Sequence, residues 1–397
     1  MLSGLRVLDL TNVLAGPFCA YQLALLGAEV IKVEMPGGGD LARQLGDDPG
    51  LSAELMGASF LAQNANKKSI TLDLKKEAGK EVFKRLVANA DVVIENFRPG
   101  VMDRLGLGYD ALGPLNEGLV YCAISGFGQQ GPMRAAPAYD QIVQGLSGVM
   151  SITGDAQSAP LRVGYPVADS IGGITAAFAI AAALIGRSKS GKGAFIDVSM
   201  LDSTIATMGW VVSNYLIAGT EPTPIGNDNF TAAPSGAFRT AEGLINIAAN
   251  KQEQFEALAR LIGRADLVDD ERFAAREARK RNRAALTEEI ECALASRPAA
   301  EWETALNEVG VPAGRVLTVP EALALDQVRE RGLVQQFDHV EGLEGPLSLA
   351  VAGYVMRDGG PALRSPPPRL GEHSHEILTG LGCSESEIAA LRAEKII

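Results

Sequence analysis

The chain is poor in the residues on which several common chemistries rest. Its four cysteines (Cys19, Cys122, Cys292 and Cys383) lie far apart in 397 residues, with no CxxC spacing. Neither a disulfide framework nor a metal site is indicated, and reduced thiols fit a cytoplasmic setting. Only three histidines are present, His339, His373 and His375, all towards the C-terminal end. A Ser-His-Asp or Cys-His mechanism would have to draw on that tail. Basic residues are outnumbered, 36 against 48 acidic, for a net charge of −12. Nucleic acid, which needs a basic footprint, is therefore not an expected partner. An anionic ligand must be held by local Lys, Arg and backbone N–H groups rather than by a long-range field. The longest apolar run, Ile171–Ile185, is shorter than the roughly 20 residues of a membrane span. Met1-Leu-Ser-Gly-Leu-Arg runs straight into a strand-like segment, so neither a signal peptide nor a membrane partner is expected. The turn after that first strand, Thr11-Asn-Val-Leu-Ala-Gly-Pro17, carries no G-x-G-x-x-G, which disfavours a dinucleotide dehydrogenase.

What is present is an ordinary folded composition, 47% hydrophobic and 21% charged, long enough for two domains. Arg6–Leu10 reads as a buried strand, followed by a helix near Phe18–Leu26 and strands at Glu29–Glu34 and Ser69–Asp73. An amphipathic helix at Lys76–Val87 leads to strands at Asp91–Glu95, Leu119–Ser125 and Ala194–Ser199, then a helix at Leu201–Ile217. Strands alternating with helices of this length predict an α/β fold, a Rossmann-like parallel sheet with helices on both faces. Gly219–Asn229 reads as a linker. Beyond it, a strand at Leu244–Ala248 and polar helices near 252–262, 283–294 and 299–309 suggest a smaller domain. A terminal helix is expected at Ser384–Lys395.

Pro166-Val-Ala-Asp-Ser-Ile-Gly-Gly173 sets Asp169 at the mouth of an apolar helix that is expected to be buried. Asp169 or Ser170 would be its N-cap, and the positive end of a helix favours an ionised carboxylate. Gly172 and Gly173 clear side chains from the first turn, so a ligand can approach the backbone. Such a carboxylate suits a nucleophile, and equally a plain helix cap.

Several patterns occur in one order: Gly4-Leu-Arg-Val-Leu-Asp-Leu10, Leu26-Gly-Ala-Glu-Val-Ile-Lys-Val-Glu34, Asn66-Lys-Lys-Ser-Ile-Thr-Leu-Asp73 and Asp91-Val-Val-Ile-Glu-Asn-Phe-Arg-Pro-Gly100. Ser125-Gly-Phe-Gly128, the Asp169 segment, Gly191-Lys-Gly193 with Val198-Ser-Met200, and Gly371-Glu-His-Ser-His375 complete it. Together they resemble the class III coenzyme A transferases, the family of formyl-CoA transferase and carnitine CoA-transferase, over nearly the whole chain. The resemblance implies a homodimer of interlocked rings. It implies a large domain at 1–218, a small inserted domain at 225–330, and a C-terminal segment, 331–397, returning to the large domain. It also implies no tightly bound cofactor, with coenzyme A thioesters as substrates.

By the same resemblance Asp169 is the nucleophile. It would form an aspartyl anhydride and then an aspartyl-CoA thioester while CoA passes from an acyl-CoA donor to a carboxylic acid. Val13, Leu14 and Ala15 should meet the pantetheine arm. Leu72, Lys75, Asn96, Phe97, Arg98, Val101 and Arg104 should meet the adenine and phosphates, with Tyr139 and Asp140 also on CoA. Cations pair with phosphate and a phenyl ring packs on adenine. Oxyanion donors are expected from Ser125-Gly-Phe-Gly128 and from the start of the Asp169 helix. Arg43, Gly126, Gly128 and Tyr139 are candidates for the acceptor acid, with Arg134 and Arg162 also available. Leu14 replaces a glutamine of formyl-CoA transferase, which argues against a formyl or oxalyl substrate. Succinyl-CoA and a dicarboxylate are the expected pair.

Two alternatives remain open from the residues. The α-methylacyl-CoA racemases share the architecture but use a histidine in a Gly-His-Asp pattern, where this chain has Pro137-Ala-Tyr-Asp140. Tyrosine, with an ordinary pKa of about 10, is a poor reversible proton carrier near neutrality. The other alternative is a CoA-binding protein without catalysis.

Overall fold

A computed structural model describes all 397 residues. Six strands form one parallel sheet: β1 (Arg6–Asp9), β2 (Glu29–Glu34), β3 (Lys67–Thr71), β4 (Val92–Glu95), β5 (Val120–Ser125) and β6 (Ala194–Ser199). Their spatial order is β3-β2-β1-β4-β5-β6, with β1 paired to β2 on one side and β4 on the other. The chain thus winds outward through β3, then crosses back to begin at β4. The reversal opens a crevice at the carboxyl ends of β1 and β4, where ligands of such sheets bind.

The strands are apolar on both faces because both are covered. Leu8, Ile31, Ile70, Val93 and Tyr121 pack with Phe83 and Leu86 of the helix Glu77–Val87 and with Leu378 and Ile388 of the C-terminal helices. Val7, Val30, Val92, Ile94 and Cys122 face the other way, against the helices Ala15–Leu25 and Val167–Ser190. The alternation follows the two-residue period of a strand.

The contacts divide the chain into two compact units. The first comprises Met1–Val149, Arg162–Thr220 and Gln327–Ile397; the second comprises Met150–Leu161 and Glu221–Asp326. Residues 150–161, expected in the large domain, pack with the second unit. That unit holds an antiparallel sheet of β7 (Ser235–Arg239), β8 (Leu244–Ala248) and β9 (Ala313–Arg315). Its core includes Phe238 and Ile247 of the sheet, together with Phe255, Leu286, Ile290 and Trp302 of helices whose outer faces are polar. Of the three strands, the sequence pattern predicts β8 alone.

Three expectations are corrected. The helix expected over Leu201–Ile217 is two helices, Met200–Thr207 and Trp210–Ala218, broken at Gly209, whose φ of 52 leaves the helical region. The Asp169 helix runs from Val167 to Ser190, so Asp169 is its third residue and Pro166, which offers no side-chain acceptor, holds the cap position. Nor is that helix buried all round: Gly172, Gly173, Ala176, Ala177 and Ile180 are buried, while Ile174, Phe178 and Ile185 are exposed. At 24 residues it is long and apolar enough to cross a bilayer by length and composition alone.

Gly173 lets this helix meet the Ala15–Leu25 helix closely. A Cβ there would stand 2.5 Å from the carbonyl oxygen of Ala15 and 3.0 Å from the Phe18 ring. Gly173→Ala is expected to lower stability by about 1–3 kcal/mol through overpacking, more than its better helix propensity returns. Urea denaturation measures this, and an unchanged midpoint would count against the close contact.

Candidate active site

The turn after β1 is held in an unusual conformation. Val13 has a φ of 69, a left-handed backbone that a β-branched residue rarely adopts, at a cost of about 1–3 kcal/mol. Its N–H is accepted by Asp40 at 2.9 Å. Asn96, just past β4, accepts the Asn12 N–H and donates to the Asn12 carbonyl, both at 2.8 Å. Beneath the turn lie four charged side chains with no solvent exposure. Lys67 meets Asp9 at 2.9 Å, and Lys32 meets Asp40 at 2.9 Å. Lys32 also donates to the Thr11 carbonyl at 2.8 Å, Lys67 to that of Pro17 at 3.0 Å, and Asp9 accepts from the Thr11 N–H and hydroxyl. Burial alone would push the Asp9 carboxyl up, but Lys32 and Lys67 hold it below the usual range. Burial brings Lys67 down to about 8, with Asp9 opposing.

Above this turn is a cavity of about 200 Å³ lined by Asn12, Val13, Leu14 and Ala15, by Asn96 and Phe97, by Ile124, Ser125 and Gly126, and by Ala138, Tyr139, Asp169 and Met200. It sits at the carboxyl ends of β1, β4 and β5, at the crevice the strand order creates. Asn12 and Phe97 also line a second cavity, about 240 Å³, with Leu72, Lys75 and Val101.

The Asp169 carboxylate accepts no hydrogen bond from the chain, and its carboxyl is pushed up to about 7, first by burial and then by the charge of Asp140. The partial charge of the helix N-terminus, expected to favour the anion, does not prevent this. Asp140 is itself buried, at the first position of the helix Asp140–Leu146. One of its oxygens accepts the N–H groups of Ala168 (2.9 Å) and Asp169 (3.4 Å), and the other accepts from Gln144 at 2.6 Å.

The structure brings together Asp169, Val13, Leu14, Ala15, Asn96, Phe97, Gly126 and Tyr139 in the first cavity, and Leu72, Lys75, Phe97 and Val101 in the second. Tyr139 is 69% exposed. Arg98 and Arg104 are exposed near the second cavity's wall without lining it, and neither forms an ion pair within the chain. Asp140 lines neither cavity, since its oxygens are engaged within the chain. Gly128 stands outside as well: with a φ of 82 it shapes the loop, and its N–H is bonded to the Ser125 hydroxyl at 2.9 Å.

Arg43 is corrected as an acceptor-binding candidate. It is fully buried, and its N–H donors are spent on the Glu34 carboxylate (2.7 and 2.8 Å) and the carbonyls of Leu55 and Pro368. Its guanidinium also lies over the Phe60 ring at 3.7 Å. The expected oxyanion donors are largely spoken for too, Gly128 by Ser125 and the first turn of the Asp169 helix by Asp140. The N–H groups of Leu14 and Ala15, at the opening of the Ala15–Leu25 helix, which no side chain caps, belong to residues that line the cavity instead. Sequence reasoning missed them because it placed that helix start three residues later. No histidine lines either cavity, no cluster of three potential metal ligands occurs, and all four cysteines are unpaired.

The sequence profile described as "CoA-transferase family III" matches residues 2–374. The chain is 39% identical over 384 residues to the "Succinate--glutarate CoA-transferase" of Agrobacterium fabrum, covering 96% of this chain and 95% of that one. It is 40% identical over 385 residues to the "Acetyl-CoA:oxalate CoA-transferase" of Acetobacter aceti, covering 97% and 96%. Among solved structures, a CAIB/BAIF family protein from Brucella suis aligns with a TM-score of 0.84 at 36% identity, covering 96% of this chain and 99% of that one.

A carboxyl raised to about 7 in the fold, against an ordinary value of about 4, stabilises the native state only where it is protonated. That contribution is complete below about pH 4 and is lost as pH rises through about 7, leaving a partly desolvated anion at alkaline pH. Asp169→Asn should therefore raise the melting temperature by several degrees at pH 8 and hardly at all at pH 4. Equal effects at both pH values in calorimetry would refute the raised carboxyl.

Proposed function

The chain belongs to the family III CoA-transferases and is an enzyme of that class; we propose that it transfers CoA from succinyl-CoA to a dicarboxylic acid, with Asp169 as the covalent carrier. The observation that carries this reading is a half-buried, unbonded carboxylate in a small cavity at the sheet's switch point, which shares Asn12 and Phe97 as walls with a second cavity. Relatives named for succinate with glutarate, and for oxalate, support a dicarboxylate acceptor. The oxalate relative is named for acetyl-CoA as its donor.

In the proposed reaction an Asp169 oxygen attacks the thioester carbon. The C–S bond breaks, its electron pair leaves on sulfur, and a mixed anhydride remains. The thiolate attacks the Asp169 acyl carbon, releasing the donor acid and giving an aspartyl-CoA thioester. The acceptor carboxylate attacks that thioester, expels the thiolate and forms a new anhydride. The thiolate then takes the acceptor's acyl carbon and restores the Asp169 carboxylate. A series of acyl transfers replaces one direct exchange. The N–H groups opening the Ala15–Leu25 helix are suited to the tetrahedral oxyanions. Lys75, Arg98 and Arg104 would hold the CoA phosphates, with Phe97 packing between the two cavities. The racemase alternative lacks its histidine, since Tyr139 occupies that place. A non-catalytic role leaves the unbonded Asp169 without a purpose.

A homodimer is part of the proposal. Ile174, Phe178 and Ile185 on the Asp169 helix and Trp210, Leu216 and Ile217 on the helix Trp210–Ala218 are exposed apolar side chains within the first unit. Their number favours burial against another copy. Four unpaired thiols support a reducing, cytoplasmic setting.

Mass spectrometry of the acyl-CoA pool tests the reaction. Succinyl-CoA incubated with a mixture of dicarboxylic acids should yield new acyl-CoA species without a matching rise in free CoA, and Asp169→Ala should abolish them. Free CoA rising in step would indicate hydrolysis and defeat the proposal. Sedimentation equilibrium should give twice the 41.7 kDa chain mass; a monomer would refute the dimer.

A further inference from the structure

Asp169 makes no hydrogen bond through its carboxylate, so its position is set by whatever holds the first turn of its helix. The residue at the cap position, Pro166, supplies no side-chain acceptor. Asp140 supplies one from a different helix, with one oxygen receiving the N–H groups of Ala168 and Asp169. Its other oxygen is held by Gln144 at 2.6 Å and faces the Arg162 guanidinium at 3.6 Å. Gln144, fully buried, extends the clamp by accepting the Val163 N–H at 2.9 Å and donating to the Tyr165 carbonyl at 3.3 Å. One turn of helix, Asp140 to Gln144, thus fastens the whole lead-in to Asp169.

We propose that Asp140 is a positioning residue for Asp169: it caps the Asp169 helix from outside and, by its own charge, favours every state in which the Asp169 carboxylate is neutral, the acylated ones included. The proposal rests on Asp169 as acyl carrier. When Asp169 attacks a thioester its oxygen gains a bond to carbon, and the electron pair of the broken C–S bond leaves on sulfur. The negative charge thereby moves away from Asp140, and the repulsion between the two carboxylates ends. Charged groups facing Asp140 are few. Asp169 stands on one neighbouring helix and Arg162 on the lead-in segment, with no other charged residue on its own helix. Asp202, on the packed helix Met200–Thr207, is exposed.

Two variants give opposite signs. Asp140→Asn keeps an oxygen for the two N–H groups and removes the charge. The acidic limb of the single-turnover acylation rate, followed by hydroxylamine trapping of Asp169, should then move to lower pH by on the order of one unit. Arg162→Ala, at a half-exposed position, removes the opposing cation and should move the limb to higher pH. Limbs that stay put in both, or move the same way in both, overturn the proposal. Should Asp140→Asn fail to fold, Arg162→Ala decides alone, and an unmoved or lowered limb overturns it. Carbon-13 NMR titration of the Asp169 carboxyl, assigned with Asp169→Asn, reads the same displacements without substrate. Displaced titrations together with no acyl transfer would sink the proposed reaction and leave the role of Asp140 standing.

Discussion

Asp169 is partly desolvated without being given a hydrogen-bond partner, and much of the architecture around the crevice serves that constraint. In the proposed reaction a donor on its oxygens would stabilise the resting anion and blunt its attack on a carbonyl. Burial and the neighbouring Asp140 do the opposite, raising the free energy of the anion relative to every neutral state. Stability is lost at alkaline pH in consequence, as is common where a reactive group is kept ready. The rest of the Rossmann-like unit offsets that loss through a sheet with apolar packing on both faces.

The turn beneath the cavity is under a second constraint. Its strained Val13 persists because Asp40 and Asn96 hold the backbone on either side, and because Lys32 holds Asp40 and the Thr11 carbonyl together. Buried ion pairs are seldom a net source of stability, since the desolvation of both partners offsets their attraction. Here each ion also satisfies backbone groups of one turn, so the cluster fixes a conformation that no apolar side chain could specify. Removing a single partner would leave an uncompensated charge under the site.

The six strands of the parallel sheet, their arrangement and the position of Asp169 are legible because each has a local signature: an apolar run, a strand–helix alternation, a carboxylate before a small-residue turn. What was not legible is long-range. Lys32 and Lys67 lie on strands whose burial depends on partners from distant segments, Asp40 and Asp9. Arg43 looked available because an arginine near a site is usually exposed; its partners, Glu34 and the Pro368 carbonyl, come together only in the fold. The cap of the Asp169 helix, expected from Asp169 or Ser170, comes from residue 140. Ser-Gly-Ala-Phe-Arg at β7 has too little apolar alternation to read as a strand, and it becomes one by pairing with β8.

No lysine or arginine lines the Asp169 cavity, although both proposed substrates bring carboxylates to it. An acceptor anion approaching a free Asp169 anion there would meet unrelieved repulsion. Under the proposed sequence it never does. The acceptor reacts with the aspartyl-CoA thioester, in which Asp169 is already neutral, so the covalent step itself removes the charge that would exclude the second acid. A cation placed in the cavity would ease the acceptor's entry but would stabilise the resting carboxylate and slow its acylation. A cavity without cations, beside Asp140, therefore suits an acceptor whose reacting carboxylate enters after Asp169 is acylated, and the distal carboxylates of donor and acceptor must both be read by residues beyond these walls.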